Sequence, residues 1–571
     1  MYLSKLTVKG FRRVGEAVVS FRPGLNIVVG ENNAGKTAIV DALRALLGTT
    51  EDGTLRLDES DLHAPPGGPR VTEIEFRYVF SDLTLAEEAD FSVALKATAT
   101  AGVHEAHFGI KYLVSSTGRL RPRRWCGDHE ENSMTSEMLE DLRAVYLQPL
   151  RDPASGLRPS RTSQLARLLS RLATPTEKEG IVELMQRFEE DLEKQKPVEN
   201  TQGAIDKQQE EMLGDELKQK LSVGLTAPDF QRIAARLQIE VDSFDVEQNG
   251  LGYNNLLYMA VVLSELETNA EVAYRALIVE EPEAHLHPQL QGVLLQFLES
   301  KEKPTPGNAP VQLFVTSHSP HFASIAHLDS ICCVHRTPSG INAFSPRSVK
   351  FTPPLKKDKL QRYLDVTRAE LFFARRVIFV EGTAELFLVS ALAEKAGYDL
   401  KKRSVSLLST EGLNFDCFLP LFGEDALNIR VALLTDADPS IVKFPNLSDA
   451  LELSATAKGL DAGKSKWVQP FFAQKTLEYD IALQPANHAV MLAALKDIHP
   501  TIGAELETKV MAAHEGDRAK SIFCGMFERD EGGAVQKGRY SQALAAAISD
   551  KAATIEVPPY IRAALEYIIT P

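Results

Sequence analysis

Gly30-Glu-Asn-Asn-Ala-Gly35-Lys36-Thr37 decides how the first half of the chain folds. It fits GxxxxGK[ST], and its flanks are those the pattern needs. Leu25-Asn-Ile-Val-Val29 predicts a buried strand before it, and Ala38 to Leu47 repeats at helical spacing up to a stop at Gly48. Strand, glycine-rich turn and helix together make a phosphate cradle. Backbone N–H groups from Gly30, Asn32, Asn33 and Gly35 curl round the phosphates, Lys36 reaches the β/γ-phosphates, and Thr37 ligates Mg²⁺. ATP with one Mg²⁺ is the expected ligand.

Further along, Leu277-Ile-Val279 runs into Glu280-Glu281-Pro282-Glu283. An apolar strand delivering two adjacent carboxylates suits a P-loop ATPase, with Glu280 holding the metal and Glu281 the attacking water. His285 and His287, with His318 and His321, also form HxH…HxxH, a spacing at which imidazoles bind Zn²⁺. Val311 to Thr316 predicts another short buried strand, and the β-rich stretch from Val71 to Val114 an antiparallel sheet beside the first unit. Residues 163–225 change character. Ile181, Leu184, Met185 and Phe188 repeat at helical spacing, as do Leu213, Leu217 and Leu221, with Pro197 and Gly203 expected to break the run. An acidic helical hairpin follows, with 13 acidic against 7 basic residues between Glu177 and Lys220.

At 571 residues the chain exceeds the ~250–300 at which one core stops growing, so two or more domains are expected. Hydrophobic residues at 44% and charged residues at 25% exclude wholesale disorder. A formal charge of −15 argues against a protein that coats nucleic acid through bulk positive charge. Cys126, Cys332, Cys333, Cys417 and Cys524 contain no CxxC pair, and the N-terminus alternates like a strand instead of a signal peptide, so a reduced, cytoplasmic protein with no membrane contact is expected. Residues 345–376 carry nine Lys/Arg against three acids, and Arg119, Arg121, Arg123 and Arg124 form a second basic knot. Both are expected to hold phosphates.

A second α/β unit opens at Val377-Ile-Phe-Val380. Glu381 ends that strand, and Glu385 lies one helical turn later. Asp436 and Asp438 end the strand Val431 to Thr435, where an i, i+2 pair in extended chain projects to one side. Strand ends of a parallel sheet bring these acids to one rim. Four packed carboxylates repel unless cations neutralise them, which two Mg²⁺ or Mn²⁺ ions ~3.5–4 Å apart accomplish while clamping a phosphodiester.

The phosphate loop, Lys9-Gly-Phe-Arg12, Asn249-Gly-Leu-Gly-Tyr-Asn-Asn255, Glu280 to His287 and Thr316-Ser-His-Ser-Pro320 together resemble the RecF/SMC-like ABC ATPases. ExxxE followed by DxD resembles the Toprim domain, and the combination resembles the overcoming-lysogenization-defect (OLD) family. The resemblance implies that His318 faces the γ-phosphate, that Gln148 contacts Mg²⁺, and that the loop carrying Gly250 and Gly252 completes the phosphate site of a second copy, hence a homodimer or higher homo-oligomer. It further implies Glu478 as an added acid of the metal cluster, Lys537 as a cation stabilising the phosphate or leaving oxygen, and Gly412 as the glycine of a tight loop beside the metals.

The fold class expected is therefore α/β. An N-terminal RecF/SMC-like ABC ATPase domain (1–155 and 239–345) is interrupted by a helical, dimerising insert (156–238), and a C-terminal Toprim domain with a basic lead-in follows (346–571). The implied activity is ATP-governed, divalent-metal-dependent DNA endonuclease chemistry in defence against phage, in some members beside a helicase partner. The alternative is an ATP-driven DNA clamp or repair ATPase whose Toprim acids bind metal without cutting.

Overall fold

A computed structural model describes residues 1–48, 55–115, 119–149, 156–160, 163–217, 219–220, 222–223, 229–242, 244–268, 272–303, 309–337, 340–529, 533–550 and 553–570. Three large sheets lie in successive layers. The first is antiparallel, ordered Val14–Ser20, Tyr2–Phe11, Glu73–Ser81, His104–Val114, Leu95–Ala97, with Leu120–Cys126 also pairing His104–Val114. The second runs Gly340–Phe344, Ile331–Thr337, Leu25–Val29, Gln312–Ser317, Tyr274–Glu280, Leu142–Leu147, and is parallel except for the hairpin 331–344. The third is wholly parallel: Val405–Ser409, Arg376–Val380, Arg430–Asp436, Val468–Ala473.

Strand alternation explains how the layers join. In the second sheet Leu25, Ile27, Leu277, Val279, Leu313 and Val315 face one core, whereas Val28, Ile278 and Phe314 face the other with helix Lys36–Leu47 and the antiparallel sheet. In the third sheet Val377, Phe379, Val431 and Leu433 belong to the same core as Leu25 and Val315, while Ile378, Val380, Ala432 and Leu434 pack on C-terminal helices. One apolar core thus runs from the ATPase sheet through the lead-in residues Leu360, Leu371 and Phe372 to the Toprim sheet. Each large side chain in it, such as fully buried Phe379, contributes roughly 1.5–3 kcal/mol. The basic lead-in thus packs its apolar side chains between the two sheets.

Its charge also has a different use from the one expected. Lys357 pairs with Asp329, Lys356 and Lys359 with Asp416, Arg368 with Asp365 and Glu411, and Arg375 with Glu31. Five of the nine cations are thus occupied by carboxylates, and all of these pairs except Arg368–Asp365 tie the lead-in to its flanking domains.

The insert holds helices Gln164–Leu172, Pro175–Glu193, Lys196–Leu217 and Phe230–Ala234. Thr174 starts the second with a capping box to Glu177. Gly203, expected as a break, lies inside the third helix, which tolerates one glycine; the chain turns instead at 194–195, and Gly214 at φ 69° marks a kink. Ile181 packs beside Phe230, but Leu184, Phe188, Met212 and Leu217 are exposed. Leu221 lies outside the described residues. All five cysteines are free thiols. No helix among the described residues is long and apolar enough to cross a membrane.

Candidate functional site

The register of the second sheet sets the first site. Glu280 pairs with Thr316 and Ser317 with Val29, so the phosphate loop, the acidic pair and His318 leave adjacent strands at one rim. Gly30 is at φ 154°, and a Cβ there would meet the Val334 carbonyl oxygen at 2.1 Å, so only glycine fits. Asn32, Asn33 and Thr37 are exposed at the mouth, and Gly35 at φ 101° turns the chain into helix Lys36–Leu47. Lys36 is buried and donates to the carbonyls of Gly30 at 2.6 Å and Glu31 at 2.8 Å. Burial draws its ammonium down to about 8, against the pull of Glu281, Glu31, Glu283 and Glu280.

Glu280 is buried, and Tyr146 donates its hydroxyl to Glu280 Oε1 at 2.5 Å. Burial raises the Glu280 carboxyl, Asp41 and Glu281 add to the rise, and the Tyr146 bond opposes it. Glu281, in left-handed backbone at φ 48°, stands 3.2 Å from His318 Nε2. Burial and then Lys36 lower the imidazole, with Glu281 opposing. Glu283 braces this pair, accepting from the Ser317 hydroxyl at 2.6 Å and the His318 N–H at 3.2 Å. Gln148 follows strand Leu142–Leu147, which pairs directly with the strand ending in Glu280.

The other histidines go to separate partners. His287 caps helix Pro288–Ser300, His321 meets Gln291 at 3.1 Å, and His285 turns the chain at φ 64°. They do not converge as a zinc site requires. Asn249, just ahead of helix Leu251–Thr268, donates to Asn254 in its first turn at 3.0 Å, Gly250 donates to Asn249 Oδ1 at 2.9 Å, and a Cβ on Gly252 would meet the His285 carbonyl at 2.7 Å. The signature-like loop therefore rests on the loop that follows Glu281 and Glu283. Leu251 and Tyr253 are exposed beside it.

The second site lies at the rim of the third sheet. Glu381 accepts from the Thr435 hydroxyl and from the Asp436 N–H at 3.0 Å, so the two strand ends are joined through the acid itself. Burial, then the charges of Glu381 and Glu478, push the Asp436 carboxyl well above its usual value; Lys537 opposes and Glu385 adds to the rise. Glu385 is raised by burial, Glu478 and Glu381. Lys537 starts helix Lys537–Ser549 and reaches Glu478 Oε2 at 3.1 Å. Burial lowers its ammonium, but Glu478, Asp436 and Glu385 carry it above the usual value. Gly412, at φ 94°, donates its N–H to the Glu381 carbonyl at 2.6 Å.

Asp438 departs from expectation. The strand ends at Asp436, and Asp438 is exposed at φ 48°, so the extended geometry that would align the two side chains is lost. Among the described residues no three side chains stand ready around one metal position. Thr435, the Asp436 N–H and Lys537 hold the carboxyls instead. The donor set of Glu381, Glu385, Asp436 and Glu478 nevertheless suits Mg²⁺ or Mn²⁺: all are hard oxygens, and the repulsion that raises Asp436 and Glu385 is what a divalent cation relieves.

Sequence reasoning missed Tyr146, Glu283, Thr435 and Tyr560. The first three sit inside stretches that the motifs already mark. Tyr560 comes from helix Pro559–Ile569, and its hydroxyl, pushed up by burial, lies in the field of Asp480, Asp436, Glu385 and Glu478. Nothing local in the sequence signals it.

A phosphate loop beside an adjacent glutamate pair on one sheet, sharing an apolar core with a second sheet that carries an acidic rim, defines an ATPase domain followed by a Toprim domain. The chain belongs to the AAA ATPase domain family, matched over residues 1–117 and 128–323, and carries an overcoming lysogenization defect protein-like TOPRIM domain at residues 372–438. It is similar to an OLD nuclease of Thermus scotoductus, 24% identical over 437 residues, covering 72% of this chain and 77% of that protein. It is also similar to Endonuclease GajA of Bacillus cereus, 24% identical over 265 residues, covering 41% of this chain and 38% of that one. The solved C-terminal region of the Burkholderia pseudomallei OLD protein is 29% identical, covering 34% of this chain and 97% of that structure, with a TM-score of 0.24.

Proposed function

We propose that this chain is an ATP-binding, divalent-metal-dependent DNA endonuclease acting in defence against phage. The observation that carries the reading is the convergence of Glu381, Glu385, Asp436, Glu478 and Lys537 on one rim, a set with excess negative charge and one cation. Glu381, Glu385, Asp436 and Glu478 would hold two Mg²⁺ or Mn²⁺ ions, and Asp438 would stand at the edge of that site. When bound, the divalent ions supply charge neutralisation on the scissile phosphate and activation of the attacking water. Lys537 donates to a phosphate oxygen as charge develops there. In the other site Lys36, Thr37, Glu280 and Gln148 hold ATP with its Mg²⁺, Glu281 positions and deprotonates the hydrolytic water, and His318 reads the γ-phosphate. Gly250 and Gly252 face the phosphate site of a second copy, and the insert's exposed Leu184 and Phe188 supply the apolar face of a homodimer.

Supercoiled plasmid and linear duplex, incubated with the protein in Mg²⁺ or Mn²⁺ with and without ATP, test this. Cleavage is expected in at least one metal, and Glu381→Ala with Asp436→Ala is expected to abolish it. DNA left intact under every condition rejects the nuclease reading in favour of an ATP-driven clamp. Cleavage that survives the double substitution rejects the site.

A further inference from the structure

Arg368 is a nearly buried arginine in the lead-in, outside both sites, with its side chain 8% exposed. A buried guanidinium needs partners for its donors, and here they converge. Nε donates to the Ser409 carbonyl at 2.8 Å, one terminal nitrogen to the Tyr363 carbonyl at 3.0 Å and Asp365 at 2.9 Å, and the other lies 2.6 Å from Glu411 Oε1. Two of these partners, Ser409 and Glu411, belong to the turn that leaves strand Val405–Ser409.

That turn grips the candidate metal ligand Glu381 by its backbone. Gly412 N–H donates to the Glu381 carbonyl at 2.6 Å, the Ser409 hydroxyl donates to the same oxygen at 3.3 Å, and Thr410 N–H donates to the Val380 carbonyl at 2.9 Å. Glu411 at its apex is left-handed, φ 50°, a conformation a glutamate adopts only under constraint. The constraints are Asn414, which donates to the carbonyls of Thr410 and Glu411 at 3.1 and 2.6 Å, and the ion pair to Arg368. On its other side, the turn of helix Arg368–Phe372 shares a core with Phe322 and Ala323 of helix Pro320–Ile325, which starts two residues after His318. Arg368 therefore stands between the ATPase switch and the loop that holds Glu381.

We propose that Arg368 is a positioning residue for the Toprim metal site: it keeps the Ser409–Gly412 turn in the strained form that fixes Glu381, and anchors that turn to the ATPase side. The inference rests on the metal-site reading above and goes beyond it. Residues that orient ligands from behind change metal affinity or activity by about 10- to 100-fold when replaced.

Mn²⁺ binding to the full chain, followed by electron paramagnetic resonance, reads the site without cleavage. Arg368→Ala is expected to weaken the Glu381-dependent Mn²⁺ site and lower kcat for DNA cleavage by that factor, with KM for DNA and ATP affinity unchanged. Arg368→Lys, which keeps the charge but not the fork, recovers part of the loss. Arg368→Ala combined with Glu411→Gly recovers Mn²⁺ affinity, because glycine holds φ 50° without a brace. If Arg368→Ala does not fold, Glu411→Gln alone carries the test and weakens Mn²⁺ severalfold. Wild-type Mn²⁺ affinity and kcat in a folded Arg368→Ala protein, or in Glu411→Gln, overturn the proposal alone. A wild-type protein with no Glu381-dependent Mn²⁺ site overturns both it and the reading beneath it.

Discussion

Among the described residues Lys537 is the cation paired with the acidic rim, and its removal is the sharpest probe of that rim. Its ammonium lies 3.1 Å from Glu478, whose side chain is 2% exposed. At an effective dielectric of about 20 the gross attraction is roughly 5 kcal/mol. Lys537 is itself 50% exposed, so solvent screening and the work of dehydrating the pair reduce the net effect to about 2 kcal/mol. Lys537→Met leaves Glu478 buried beside Asp436 and Glu385 without the ammonium that pairs it. In EDTA the C-terminal unit is expected to melt about 4–8 °C below wild type. In saturating Mn²⁺ the gap closes, because the ions take over the role of the ammonium. Cleavage falls by about 10²–10³-fold in either case, as for the loss of one donor to a developing oxyanion. Glu478→Gln added to Lys537→Met restores the melting temperature in EDTA but not cleavage. Equal melting of wild type and Lys537→Met in EDTA, or a gap that Mn²⁺ leaves unchanged, refutes the electrostatic account.

Lys36 is held near 8 when the site is free, and phosphate binds its charged form, so ATP affinity is expected to fall by up to tenfold per pH unit above about 8. A titration between pH 7 and 9.5 reads this, and an affinity flat with pH contradicts it. The sign for stability is opposite: a lysine depressed in the folded state gains stability as pH rises from about 8 toward its unfolded value, so loss of ATP binding there is not unfolding. Tyr146→Phe removes the hydroxyl donor to buried Glu280, costs about 1–3 kcal/mol, and weakens Mg²⁺-ATP relative to ATP alone, as isothermal titration measures. Glu281→Gln keeps ATP affinity and removes phosphate release; turnover at the wild-type rate excludes Glu281 as the base.

Much of this site was legible because its chemistry sits where strands end, and strand ends are readable from apolar runs. Lys36, Glu280, Glu281, His318, Glu381 and Asp436 were each placed by such a run and each lies at a sheet rim. What a run does not encode is what happens one residue beyond it. Asp438 was aligned with Asp436 on the premise of extended chain, and a single left-handed residue cancels that premise. Partners across strands are equally invisible: Tyr146 reaches Glu280 over 134 residues and Thr435 reaches Glu381 over 54, and neither separation leaves a local trace. The basic lead-in shows the same limit for charge. Its sign was plain, but Asp329, Asp416, Glu411 and Glu31, which offset much of it, come from both sides of it in sequence.

The apolar run Val377-Ile-Phe-Val380 announced a strand buried on both faces without saying what lies on each. The structure puts the ATPase-side core under Val377 and Phe379, and the C-terminal helices under Ile378 and Val380. Packed cores rearrange between discrete arrangements and do not deform smoothly. Arg375, immediately before this strand, is held 2.7 Å from Glu31 in the phosphate loop, and Glu381 ends it. A five-residue strand with the nucleotide loop at one end and a candidate metal ligand at the other gives a shift in that loop a short route to Glu381: either the strand follows the loop, or the half-exposed Arg375 side chain gives and the pair to Glu31 breaks.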